Sequence, residues 1–158
     1  MKQYFPPMSL LCEAMGTTPA KVMEDGVVGV PTVLLRYLIK CALSDLEFDV
    51  EVYRSQNNDM SSERRDHVLE LHFKETGYFE GRLLPARFDA DYYPRRYKDV
   101  FEAIKTKEIR SALKHYYDQG IKECRAPSRD LEKPIAEWIE VSTAAQKTLS
   151  RHGSHRQN

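Results

Sequence analysis

Residues 46–53 read LEFDVEVY and residues 67–75 read HVLELHFKE, and the class of fold turns on these two stretches. In the first, Leu46, Phe48, Val50 and Val52 alternate with Glu47, Asp49, Glu51 and Tyr53. In the second, Leu69, Leu71 and Phe73 alternate with Glu70, His72 and Lys74. A period of two puts successive side chains on opposite faces of an extended chain, so both stretches predict strands. The polar segment RSQNNDMSSERRD, 54–66, then becomes a long hairpin loop or connection. ETGYFEGRLL, 75–84, can return as a third strand, with its turn at Thr76–Gly77. The rival is a helix from Ser62 to Lys74, capped by Ser61 or Ser62. The strand reading is preferred.

Outward from this centre the pattern is helical. Met8–Met15 forms a short helix ended by Gly16, and Thr18 with Pro19 opens a second that runs to about Asp25. Pro31 opens a third, with Leu34, Tyr37, Leu38 and Cys41 on one broad face. Beyond Pro94, the stripe Tyr97, Val100, Phe101, Ile104 is followed by Ile109, Ala112, Leu113, Tyr116. The five-residue step between the stripes predicts a break near Thr106, and Gly120 ends the second helix. A last helix starts near Asp130 and carries Ile135, Trp138, Ile139 and Val141. No internal repeat is read from this pattern. The expectation is an α+β fold: a mainly helical single domain over 1–146, a two- or three-stranded antiparallel sheet in its middle, and a polar C-terminal tail at 147–158.

Composition narrows the class. The chain has 158 residues, 41% of them hydrophobic, which suffices for one core. Its 24 basic and 24 acidic residues cancel, so any attraction to nucleic acid or an anionic surface must be local. Cys12, Cys41 and Cys124 are scattered, with no Cys-x-x-Cys pair, and read as reduced thiols. The longest apolar run, GVVGVPTVLLRYLIKCAL, contains Pro31, Arg36 and Lys40, which argues against a membrane span. A cytoplasmic protein is expected.

Four constellations of residues are candidates for chemistry. LLCEAMGTTPAKVMED, 10–25, locally resembles a helix-turn-helix: Cys12, Gly16 and Val22 have the spacing, and Met15 packs before the turn. Its second helix offers Lys21 against Glu24 and Asp25, a poor surface for phosphates, so a packing corner is the expectation. The segment Tyr92–Tyr117 holds seven basic residues against three acids. There Arg95, Arg96 and Lys98 cluster among tyrosines, while Lys107, Arg110 and Lys114 fall on one helical face. Asp45, Glu47, Asp49 and Glu51 would line the outer face of the first strand, about 7 Å apart, too loose for one metal ion. The histidines His67, His72, His115, His152 and His155 show no metal-site spacing, and no phosphate loop or nucleophile elbow is present.

The residues therefore predict a non-catalytic regulatory or adaptor protein that acts through protein–protein contacts, with no cofactor and no metal. Its expected binding residues are Arg95, Arg96, Lys98, Lys107, Arg110 and Lys114. Self-association is one form of this, because the first sixty residues carry five basic and eight acidic groups beside a basic middle. The alternative is nucleic-acid binding through 92–117, with the helix-turn-helix-like element at 10–25. A small enzyme of unknown class is the third reading. An interaction protein also predicts an exposed apolar patch, here around Phe79, Leu83, Leu84 and Phe88.

Overall fold

The computed structural model describes residues 4–24 and 26–154, the last two by their backbone alone. Asp25, expected at the end of the second helix, lies outside the described residues, as does the end of the tail with His155. The chain divides into two compact units, 1–46 with 142–158, and 47–141.

In the first unit, α1 (Met8–Met15) ends on Gly16, whose left-handed backbone (φ 63°) returns N–H groups to the Cys12 and Glu13 carbonyls. The Thr18 hydroxyl accepts from the Lys21 N–H and Pro19 opens α2 (Pro19–Met23). The third helix, α3 (Thr32–Ser44), follows Pro31. Among the described residues of this unit, Cys12 of α1 and Leu43 of α3 are the buried apolar groups.

The second unit corrects the expected sheet. Among the described residues there is no strand. LEFDVEVY instead opens α4 (Val50–Gln56), because the Asp49 carboxylate accepts from the Val52 N–H at 3.0 Å and starts a helix there. HVLELHFKE forms α5 (Asp66–His72), followed by a π-helical turn, Phe73–Gly77. The faces that count are helical: Leu69 and Phe73 are fully buried, Val68 and His72 half-buried, and Leu71 is exposed. The apparent alternation misleads because His72 faces inward, its Nδ1 2.9 Å from the Tyr53 hydroxyl.

α6 (Tyr92–Arg96), α7 (Lys98–Lys105) and α8 (Ala112–His115) follow, then a second π-helical turn, Tyr116–Gly120, and α9 (Glu132–Ser154). The break expected near Thr106 is present, with Lys107 in the left-handed region at φ 64°.

This unit is a tandem duplication, contrary to the expectation of no repeat. Phe48, Asp49, Tyr53 and Asp59 recur forty residues later as Phe88, Asp89, Tyr93 and Asp99. His72, Phe73, Gly77 and Arg82 recur 43 residues later as His115, Tyr116, Gly120 and Arg125. The geometry recurs with the residues. Phe48–Tyr53 and Phe88–Tyr93 ring centroids are each 5.2 Å apart, while Tyr53–Phe73 and Tyr93–Tyr116 meet edge to face at 5.5 and 5.7 Å. Each repeat closes on itself: the Asp49 N–H donates to the Pro85 carbonyl at 3.1 Å, and that of Asp89 to Pro127 at 3.0 Å.

The glycine of each repeat is dictated by close approach. A Cβ on Gly77 would sit 2.6 Å from the Tyr53 hydroxyl, and one on Gly120 would collide with that of Tyr93. Each arginine then clamps the loop after the π-helical turn by a bidentate pair, Arg82 with Asp59 at 3.0 and 2.8 Å, Arg125 with Asp99 at 2.9 and 2.7 Å.

Candidate functional site

The paired tyrosine and histidine of each repeat are the first groups to test for chemistry. Tyr53 lies against His72 and Tyr93 against His115, the latter with 3.2 Å between hydroxyl and Nδ1. Burial pushes both phenols above their ordinary range. A phenol that holds its proton, wedged under a glycine in two copies, is a packing device. The duplication assigns these groups to the scaffold.

What differs between the repeats is the surface. An open groove lies where each repeat begins. In the first, about 530 Å³ in volume, it is lined by Glu47, Phe48, Asp49, Val50, Glu51, Asp66 and Arg87. In the second, about 490 Å³, it is lined by Asp89, Asp91, Tyr92, Arg95, Arg96 and Arg129. The two grooves are equivalent, since Asp49 matches Asp89 and Glu51 matches Asp91, while Arg87 and Arg129 each stand two residues after a repeat-closing proline. Their charges are opposed: four carboxylates and one arginine against two carboxylates and three arginines.

The second groove is built locally. The Asp89 carboxylate caps α6, accepting from the Asp91 and Tyr92 N–H groups at 3.0 and 2.8 Å. Five helical residues then bring Arg95 and Arg96 to the end of α6. Ser128, buried, leads into the 3₁₀ turn that presents Arg129. The Glu132 carboxylate accepts from the Tyr92 hydroxyl and from Arg96 Nε, the latter at 2.9 Å. These donors hold Glu132 below the usual carboxylate range, and burial together with Glu132 pushes the Tyr92 phenol up to about 12.

The chain matches no known protein family, and no curated protein or solved structure is significantly similar to it.

Of the six residues singled out by sequence, the structure brings Arg95 and Arg96 into one groove. Lys98 opens α7, whose eight residues, about 12 Å at helical rise, separate the groove from Lys107. Lys107, Arg110 and Lys114 do not share a helical face: Lys107 sits in the left-handed turn, Arg110 lies in the following irregular segment, and α8 begins only at Ala112. Lys114 is paired with Asp118 at 2.7 Å. Sequence reasoning passed over Arg129, although its place after Pro127 repeats that of Arg87 after Pro85.

The remaining constellations resolve into local structure. Asp45, Glu47, Asp49 and Glu51 lie on no strand face; Asp49 caps α4 and Glu51 pairs with Arg54. The helix-turn-helix corner keeps its buried Cys12 and half-buried Met15 and Val22, but α2 is only five residues long and Glu24 already lies outside it. Of the expected apolar patch, Phe79 and Leu83 are exposed, Leu84 is half-buried, and Phe88 packs against the core of the second repeat.

Proposed function

We propose that this chain is a non-catalytic protein-binding module, an adaptor or regulator, whose duplicated helical scaffold displays two different surfaces. The observation that supports it is the pair of equivalent grooves with opposed charge on a shared framework. The tyrosine–histidine, tyrosine–glycine and arginine–aspartate contacts recur in both copies, while the groups that line the grooves have diverged. Such divergence suits recognition of partners and leaves the scaffold's chemistry untouched. Among the described residues no helix is long and apolar enough to cross a membrane. Three free thiols agree with a cytoplasmic setting.

Nucleic-acid binding by 92–117 is the second reading, supported by that segment's positive balance. It is disfavoured because Lys107, Arg110 and Lys114 lie outside the groove that gathers Arg95 and Arg96, and that groove also holds two carboxylates.

A peptide array of acidic, basic and apolar sequences, probed with the full chain at physiological salt, tests the first reading. Saturable binding to one class supports it. Binding to no peptide, together with salt-sensitive binding of single- or double-stranded nucleic acid, would replace it with the second.

A further inference from the structure

The first repeat is an internal control for the second, because it shows which residues the scaffold requires. At the positions of Tyr92, Arg95 and Arg96 it holds Val52, Ser55 and Gln56, and it folds with the same ring contacts and the same closing hydrogen bonds. The two arginines at the end of α6 are therefore not demanded by the fold. Arg96 is held by Glu132 within the chain, whereas Arg95 is not consumed by the fold. Among the described residues Arg95 and Arg129 make no ion pair within 4 Å, although both line the groove.

Resting on the protein-binding reading, we propose that the groove of the second repeat binds an acidic peptide segment, with Arg95 and Arg129 each taking a carboxylate. Glu132 shows the mode of recognition within the chain, since Arg96 Nε and the Tyr92 hydroxyl already converge on its carboxylate. A guanidinium fork matches a carboxylate's two oxygens, which makes arginine better suited than lysine to this task. Asp91, which is exposed, lines the groove together with the three arginines. Carboxylates mixed with the cations disfavour the close approach of a continuous phosphate chain. The groove's limited volume accommodates a few side chains and offers no extended track.

The test is fluorescence anisotropy of the full chain with labelled oligo-glutamate, oligo-glutamine and single-stranded DNA. It is run on the wild type, on an Arg95→Ser/Arg129→Ser variant, and on a Lys107→Ser/Arg110→Ser variant. Neither groove substitution removes an ion pair, and circular dichroism verifies the fold. Oligo-glutamate is expected to bind, with affinity lower by about tenfold or more in the groove variant and unchanged in the other. Oligo-glutamine is expected not to bind. Equal loss in both variants, or DNA outcompeting the peptide, would overturn the assignment. No binding of oligo-glutamate, while the wild type still binds other peptides on the array, sinks this groove and leaves the protein-binding reading standing. Silence toward every peptide removes both.

Discussion

Arg82 in the first repeat lies against the Asn57 side chain, donating to its Oδ1 at 3.0 Å; Arg125 in the second lies over the Tyr97 ring, 4.9 Å from its centroid. Both arginines still clamp an aspartate bidentately, and both follow a residue with positive φ, Gly81 in one repeat and Cys124 in the other. The same mechanical task is thus done with different neighbours. The repeats also differ around that aspartate, which lies in the 3₁₀ turn Asn58–Met60 in the first and in α7 in the second. The comparison teaches where the module is rigid in its demands. Its tyrosine, glycine, histidine and arginine are fixed by close packing, and the connecting segment and grooves are free to change.

The largest test of this equivalence is at the glycines. Gly77→Ala and Gly120→Ala should each destabilise by about 2–3 kcal/mol, since the added methyl displaces a buried tyrosine. Equilibrium denaturation measures both, and a harmless Gly77→Ala would break the equivalence. Alkaline titration is next. Burial pushes Tyr116 up to about 12, against an ordinary 10.0, and also raises Tyr53, Tyr93 and Tyr117. A phenol with a raised folded value contributes stability that is full below pH 10 and is lost as pH climbs through the folded value. For Tyr116 that is on the order of 2–3 kcal/mol. Tyrosinate absorbance should therefore show a late fraction that appears together with unfolding; full ionisation near pH 10 with helicity retained would refute it.

At the acid end the sign reverses. The Arg82 and Arg125 guanidiniums hold Asp59 and Asp99 below their ordinary 3.8. Their contribution is present above that value and fades as pH falls below it. Asp59→Asn and Asp99→Asn should flatten the acid limb of the stability curve, and an unchanged limb would remove the clamp from the argument. Tyr53→Phe and Tyr93→Phe should cost about 1 kcal/mol each, the worth of one hydrogen bond to histidine. Unequal costs would show that one pair carries more than packing.

The smallest effect sharpens the comparison from the other side. Cys124 has φ 52° where its counterpart is Gly81. Cys124→Gly should stabilise by about 0.5–1 kcal/mol by relieving left-handed strain, and Gly81→Ala should cost about 1 kcal/mol. A thermal-denaturation series distinguishes the two directions.

Much of the outer fold was legible in residues alone. Gly16 as a left-handed cap, Thr18 with Pro19 at a helix start, and the break near Thr106 follow from local backbone preferences that need no distant partner. Arg95 and Arg96 stood out as a charge cluster for the same reason. The centre was not legible, because Leu69, Leu71 and Phe73 alternate as a strand would, and nothing local says that His72 faces inward. Only its contact with Tyr53, nineteen residues earlier, turns that stretch into a helix face. The repeat was hidden by a three-residue change of register between its halves and by Phe73 standing where Tyr116 stands. By itself the sequence determined the end of α1 at Gly16, the start of α2 at Thr18–Pro19 and the break after α7, since capping and backbone strain act within a few residues. The tertiary structure alone decided that the molecule has no sheet among its described residues, and that Arg129 joins Arg95 and Arg96. Burial and charge convergence depend on chain segments far apart in sequence meeting in space.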